Sequence, residues 1–234
     1  CPSDREMKRI LAGAVLLDGA AAEVLQARGF GSYLGVQAGP RQSYGVLAEV
    51  YADGILPGVP AGRVPHRGMR WHTLKPAGAR VVSQFIDSKN RYHPGSTLFE
   101  NRLGGRVAVY ASVGDFAMGT FGSHARLRWL HGVLRWLSRE RFVVLPEIPH
   151  HGLTIVRSKG RRMLLAFANL GADVLREIRF RCGKEFHPRR AMMLDPQGKW
   201  KRCKFKRVQP RPEEELLRVP CRLNPFEWLI LLLT

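Results

Sequence analysis

The apolar positions of this chain follow both helical and strand spacings in its first part, and strand spacing alone from about residue 146 onward. Residues 4–11 carry Met7, Ile10 and Leu11 at helical spacing, with Ser3 or Asp4 placed to cap them. Residues 14–17 form a continuous apolar run before Asp18-Gly19, the pattern of a short strand covered on both faces, and the alanine-rich stretch after it favours a helix stopped by Gly29. Residues 30–36 read as a second short strand or a turn. Glycine and proline crowd residues 38–78, which predicts irregular connections around short strands. Residues 79–87 then read as a strand, 88–90 as its turn, and 96–100 and 106–111 as strands around Gly104-Gly105, a pair suited to a bend or to the close approach of another element. The longest helical pattern spans 123–138, where Leu127, Leu130, Val133, Leu134 and Leu137 form a stripe widened by Trp129 and Trp136, and Arg126, Arg128, Arg135 and Arg139 lie elsewhere.

Pro146 and Pro149 mark the change of texture. Strands are predicted at 153–157, 163–169, 175–181, 190–194, 199–205, 216–219 and 228–233, the rhythm of a β-sandwich. Asp195-Pro-Gln-Gly198 has the chemistry of a hairpin turn. Alternation over 199–207 places Trp200, Arg202, Lys204 and Lys206 on one face and Lys199, Lys201, Cys203, Phe205 and Arg207 on the other, as in a solvated edge strand whose lysines discourage edge pairing.

With 45% hydrophobic residues, 234 residues supply a real core. The apolar run at 229–233 is far short of the about 20 residues that span a bilayer and reads as a last buried strand. The four cysteines form no Cys-x-x-Cys pair, so a reducing, cytoplasmic setting is expected. The chain opens on Cys1-Pro2-Ser3-Asp4 with no basic and apolar leader, and reads as an excised segment. Its net charge of +19 is spread along the chain, and arginine exceeds lysine.

Two carboxylates across a scissile bond would make a glycosidase, and the acids outside obvious turns and helix faces are Asp18, Glu49, Asp87, Glu100 and Asp115. Glu100 beside Asn101 suits a sugar hydroxyl, and Arg106 is placed to hold Glu100; the same residues also read as a strand-end pair satisfying the backbone near Gly104. Asp18 after a strand reads first as a helix cap. Cys1 has the chemistry of an N-terminal nucleophile. His124 with His131, His150 with His151, and the set Cys182, His187, Cys203 and Cys221 have ligand chemistry without the spacing of a zinc site. No phosphate loop or dinucleotide fingerprint is present, and neither metal nor cofactor is expected. Lys199, Trp200, Arg202 and Lys204 have the composition of a surface for acidic glycans or single-stranded nucleic acid.

The segments Ala14-Val-Leu-Leu-Asp18-Gly through Gly31, and Phe99-Glu-Asn101-Arg-Leu-Gly104-Gly105-Arg106 through Tyr110, resemble the region that follows the catalytic barrel in bacterial glycoside-hydrolase-like proteins. That region is related to the beta-galactosidase trimerisation domain, with its glutamine-amidotransferase-like (flavodoxin-like) fold. Residues 164–173 and 193–200 resemble the small β-sandwich that closes many glycosidase chains. The resemblance implies an α/β domain over 1–145, lacking the cysteine elbow of an amidotransferase, and an all-β sandwich over 146–234. It implies an accessory piece that packs against a barrel missing from this chain, meets carbohydrate indirectly and can build a homo-oligomer, with no role for nucleic acid or membrane. Two readings of other classes stand beside it: an autonomous basic module for acidic glycans or nucleic acid, and an independent hydrolase using Glu100 with Asp18 or Asp115.

Overall fold

The computed structural model describes the chain except residues 1, 43–44, 53, 55, 57–58, 60, 66–69, 113–123, 140–143, 148–151, 161, 184–185 and 212–213. The chain divides into two compact units, Cys1–Ser138 and Arg139–Thr234. The strand Val144–Pro146 lies in the second unit's sheet, so the sequence-based boundary at 145 cuts through a paired strand.

The first unit opens with α1 (Asp4–Leu11), capped by Ser3, whose hydroxyl accepts from the Glu6 amide while the Glu6 carboxylate accepts from the Ser3 amide at 2.8 Å. Strand β1 (Ala14–Asp18) leads into α2 (Gly19–Leu25), and Asp18 caps that helix through the Ala21 amide at 2.7 Å. A π-helical turn (Gln26–Phe30), with Gly29 at φ +84°, and a 3-10 turn (Gly31–Tyr33) follow.

Strands β2 (Val36–Gln42) and β5 (Trp71–Pro76) form a two-stranded ribbon. The main sheet contains β3 (Val46–Tyr51), β4 (Gly62–Pro65), β6 (Arg80–Asp87), β7 (Tyr92–Glu100) and β8 (Arg106–Tyr110), in the order β1-β8-β7-β6-β3-β4. The pair β1 with β8 is parallel and the other described pairs are antiparallel. Strand β1 ends the sheet and is only partly buried, where its apolar run predicts burial on both faces. The reason is positional, since an edge strand has a neighbour on one side only.

The two glycines between β7 and β8 do different work. Gly104 takes φ +76° to make the bend. Gly105 provides the close approach, since a Cβ there would sit 1.9 Å from the Leu11 carbonyl oxygen at the end of α1.

Helix α3 (His124–Leu137) buries Arg126, Trp129, Val133 and Leu137, while Leu127, Leu130 and Leu134 are only partly buried. The buried stripe is therefore rotated from the one that leucine spacing predicts, and an arginine lies within it. The cause is Glu49 on β3, fully buried, whose carboxylate accepts from Arg126 Nε at 3.3 Å and from the Tyr110 hydroxyl at 3.0 Å. Arg126 also donates to the Pro65 carbonyl at 2.8 Å. Beside this pair, Trp129 Nε1 donates to Ser96 Oγ at 3.0 Å, and Ser96 meets Ser83 at 2.6 Å. Burial pushes the Glu49 carboxyl up, against the Ser83, Tyr51 and Tyr110 hydroxyls and the Arg126 guanidinium, which pull it down. The rings of Trp71, Phe85, Tyr110 and Trp129 meet in sequence, at 6.1, 5.6 and 4.8 Å between centroids, from the ribbon through the sheet to α3.

The second unit holds β9 (Val144–Pro146), β10 (Gly152–Lys159), β11 (Arg162–Asn169), β12 (Leu175–Cys182), β13 (Ala191–Leu194), β14 (Trp200–Cys203), β15 (Lys206–Arg211), β16 (Glu214–Leu223) and β17 (Trp228–Leu233). They form a five-stranded antiparallel sheet, β10-β11-β17-β13-β14, and a four-stranded one, β15-β16-β12-β9. One core joins them, with Leu165, Phe167 and Leu231 from the first sheet and Ile178, Phe180 and Leu217 from the second. Phe167 and Phe180 meet edge-to-face at 6.2 Å across it. Asn169, buried at the end of β11, donates to the Asp173 and Leu223 carbonyls and so stitches the two sheets together. The run 199–207 is not one strand. It crosses from β14 at the edge of one sheet to β15 at the edge of the other, so the single alternation over these nine positions fails at residues 204–205.

Removing one member of the buried pair leaves the other ion stranded. Glu49→Gln is expected to cost about 3 kcal/mol, and Glu49→Gln with Arg126→Met to recover most of it; urea unfolding of both proteins checks this, and equal losses would remove the coupling. Gly105→Ala is expected to cost about 3 kcal/mol against about 1 kcal/mol for Gly104→Ala. The same denaturation curves decide it, and the reverse order would mean that the α1 contact yields.

Candidate functional site

Glu100 and Arg106 face each other at the ends of β7 and β8, with Arg106 Nε donating to Glu100 at 3.1 Å. The guanidinium also donates to the Trp136 carbonyl at 2.6 Å and lies over the Trp136 ring at 4.9 Å, so it ties the last turn of α3 to the hairpin. Asn101 is buried. Its amide nitrogen donates to the Leu11 carbonyl at 2.8 Å and the Tyr33 carbonyl at 3.4 Å, and its oxygen accepts from the Leu103 and Gly105 amides. The structure thus brings Glu100, Asn101 and Arg106 to one hairpin end, where the amide of Asn101 is occupied in joining α1, the 3-10 turn and the bend.

The other acids are dispersed. Asp18 lies opposite Tyr110 and Glu100 opposite Arg106, four residues apart along β8. That is about 13 Å of backbone, beyond the roughly 5 to 9.5 Å that separates a glycosidase's carboxylates. Asp115 lies outside the described residues, as do Cys1, His150 and His151. Asp87 is fully buried at the β6–β7 turn, where it accepts from the Lys89 and Arg91 amides, from Arg91 Nε at 2.8 Å and from His93 Nε2 at 3.0 Å. Burial opposes ionisation there, but the His93 and Arg91 donors prevail and hold the carboxyl well below the usual range. Among the described residues no three of His, Cys, Asp and Glu group as metal ligands. Cys182 and Cys203 are buried, Cys221 is partly buried, and burial pushes the Cys221 thiol up to about 11.

An open groove of about 670 Å³ lies between the π-helical turn and the β2–β5 ribbon. Gln26 closes one wall, its amide pairing with both backbone groups of Ala38 at 3.1 and 2.8 Å in the manner of a neighbouring strand. Its lining includes Ser32, Val36, Gln37, Thr73, Leu74 and Lys75. Among the described residues the lining carries neither carboxylate nor histidine for acid–base chemistry. Sequence reasoning missed this groove because short runs of Gln, Ser and Thr between valines and alanines have no spacing of their own.

In the second unit Lys199, Trp200, Arg202 and Lys204 are all exposed, the first three beside or on the edge strand β14 and Lys204 where the chain changes sheets. Asp195 organises the turn before them, accepting from the Gln197 and Lys199 amides and pairing with Lys201 at 2.9 Å.

No protein-family model and no curated protein matches this chain. Solved structures do. The chain is similar over its whole length to 39% of alpha-L-fucosidase isoenzyme 2 from Paenibacillus thiaminolyticus, with a TM-score of 0.65 and 15% identity. It is also similar over 85% of its length to 24% of the beta-galactosidase from Rahnella sp. R3, at a TM-score of 0.47 and 16% identity. A third likeness covers 97% of this chain and 29% of Gan42B, a GH42 beta-galactosidase, at 0.49 and 9%. The chain thus spans about two fifths of the fucosidase chain. These neighbours are glycoside hydrolases, and the likeness to the fucosidase is one of fold.

The Asp87 cluster makes a pH prediction. Its folded-state carboxyl titrates below the ordinary value of about 4, so its stabilisation is complete above that value and is lost as pH falls. Asp87→Asn is expected to lower the urea midpoint at pH 7, with the gap from wild type closing as acid is added. A gap that stayed constant down to about pH 2 would remove Asp87 as its source.

Proposed function

We propose that this chain is a non-catalytic accessory region of a glycoside-hydrolase-like, carbohydrate-processing protein. The observation that carries the reading is the likeness of its entire length to a minor part of an alpha-L-fucosidase. The separation of Asp18 on β1 from Glu100 on β7 and the binding-up of Asn101 support it. In this reading the first unit is a divergent relative of the amidotransferase-like trimerisation domain and the second a small sandwich. Both would pack against a catalytic barrel and shape its sugar cleft, with a second or third copy of the chain as a further partner. The spacing of the cysteines, with no Cys-x-x-Cys pair, supports a reducing, cytoplasmic setting. Among the described residues no helix is long and apolar enough to cross a membrane.

The purified chain is expected to release no nitrophenol from p-nitrophenyl α-L-fucoside or β-D-galactoside, in wild type and Glu100→Gln alike. Light scattering after size exclusion is expected to give a discrete dimer or trimer that persists in high salt. Turnover abolished by Glu100→Gln would establish an independent hydrolase instead. A monomer that bound heparin in a salt-sensitive way would establish an autonomous polyanion-binding module.

A further inference from the structure

Antiparallel sheets with one wet face alternate apolar and polar residues, whereas strands apolar on both faces belong to sheets covered on both sides. The five-stranded sheet of the second unit departs from the first pattern on its outer face. Strand register aligns Leu153, Ala168 and Trp228 in one outward row. The next row holds Ile155, Ala166 and Ile230, with Leu194 and Trp200 continuing it across β13 and β14. In the third row Leu164, Leu232 and Met192 lie between Arg157 and Arg202. Their inward neighbours, among them Leu165, Phe167 and Leu231, fill the sandwich core. Leu153, Ile155, Leu164, Trp200 and Trp228 remain between 39% and 50% exposed. Strand spacing makes this apolar field on the order of 400 Å², the size of patch that marks an interaction site.

The field has a charged border on one side. Arg157, Lys159, Arg162 and Arg202 lie along the edge where β11 begins, all exposed, and none pairs with a carboxylate among the described residues. No outward position on these strands is Asp or Glu. Charge complementarity then selects the occupant. A second copy of a chain with net charge +19 would bring more cations to this border. A free glycan would leave the aliphatic centre unmatched.

We propose that the outer face of this sheet docks a protein surface whose apolar stripe is flanked on one side by carboxylates, the form of an amphipathic helix laid across the strands. Five strands span about 19 Å, which a helix of about 13 residues covers at 1.5 Å per residue. The assignment does not depend on the parent protein's being a glycoside hydrolase.

The probes are two synthetic helical peptides of about 18 residues with the same leucine stripe, one flanked by glutamates and one by lysines. Calorimetry against the full chain is expected to show binding of the glutamate peptide, weakened by salt, and at least about tenfold weaker binding of the lysine peptide. Arg157→Glu with Arg162→Glu is expected to reverse that preference, and Leu164→Asp to remove binding of both. These side chains are exposed, and unchanged circular-dichroism melts would show that the variants fold. Equal binding of the two peptides, or binding indifferent to these substitutions, overturns the proposal. So does a dimer that Leu164→Asp dissolves, which assigns the face to a second copy. Heparin held through Trp200, Trp228 and Arg157 with neither peptide bound assigns it to an anionic glycan, and overturns the proposal too.

Discussion

The first unit depends on a charge pair made out of reach of water. Glu49 and Arg126 lie far apart in sequence, on a strand and a helix, and each would carry a penalty of several kcal/mol if buried alone. Together, and with Tyr110 and the Pro65 carbonyl as further partners, they can occupy the boundary between sheet and helix. That requirement sets the rotation of α3, since the helix must present Arg126 to β3 before its leucines can choose a side. The tryptophan that follows one turn later then reaches Ser96 and meets the Tyr110 ring at a tilt, so the aromatic series and the ion pair share one geometry.

Glu49 and Asp87, both fully buried in this unit, respond to burial in opposite ways. Glu49 is pushed toward its neutral form because burial outweighs the hydroxyls and the guanidinium that favour its charge. Asp87 stays ionised because two backbone amides, an arginine and a histidine converge on it. Arg91 and His93 beside Asp87 keep contact with solvent, whereas Arg126 is buried with Glu49, so the penalty of burial weighs more heavily on Glu49. Both acids are engaged in holding strands and turns, as are Asn101, Asn169 and Asp195. With its polar side chains occupied in this way, the molecule offers surfaces for contact: a groove of neutral polar groups in one unit, and a broad apolar sheet face in the other.

That sheet face also explains the texture of the second unit's sequence. Strands β11 and β17 are apolar at nearly every position because their inward residues make the sandwich and their outward residues make the exposed field. Such strands give no alternation by which to tell the faces apart. Only the positions of Phe167, Leu231 and their neighbours in the core distinguish them.

Much of this was legible in the chain itself. Ser3 and Asp18 as caps, the Asp195 hairpin, strands β10 to β13, β16 and β17 and the helix from His124 to Leu137 all follow from local rules, because a cap, a turn or a repeat of apolar residues acts within a few positions. The two uses of the glycine pair at 104–105 were each foreseeable as possibilities, but which glycine met α1 was not. What only the tertiary structure decided involves partners distant in sequence: the burial of Arg126 against Glu49, the edge position of β1, the occupation of Asn101 by α1 and the 3-10 turn, the wide separation of Asp18 from Glu100, and the passage of residues 199–207 from one sheet to another. Each depends on an interaction whose second member no local pattern announces, because a buried charge or amide gains its meaning only from the group that folding places beside it.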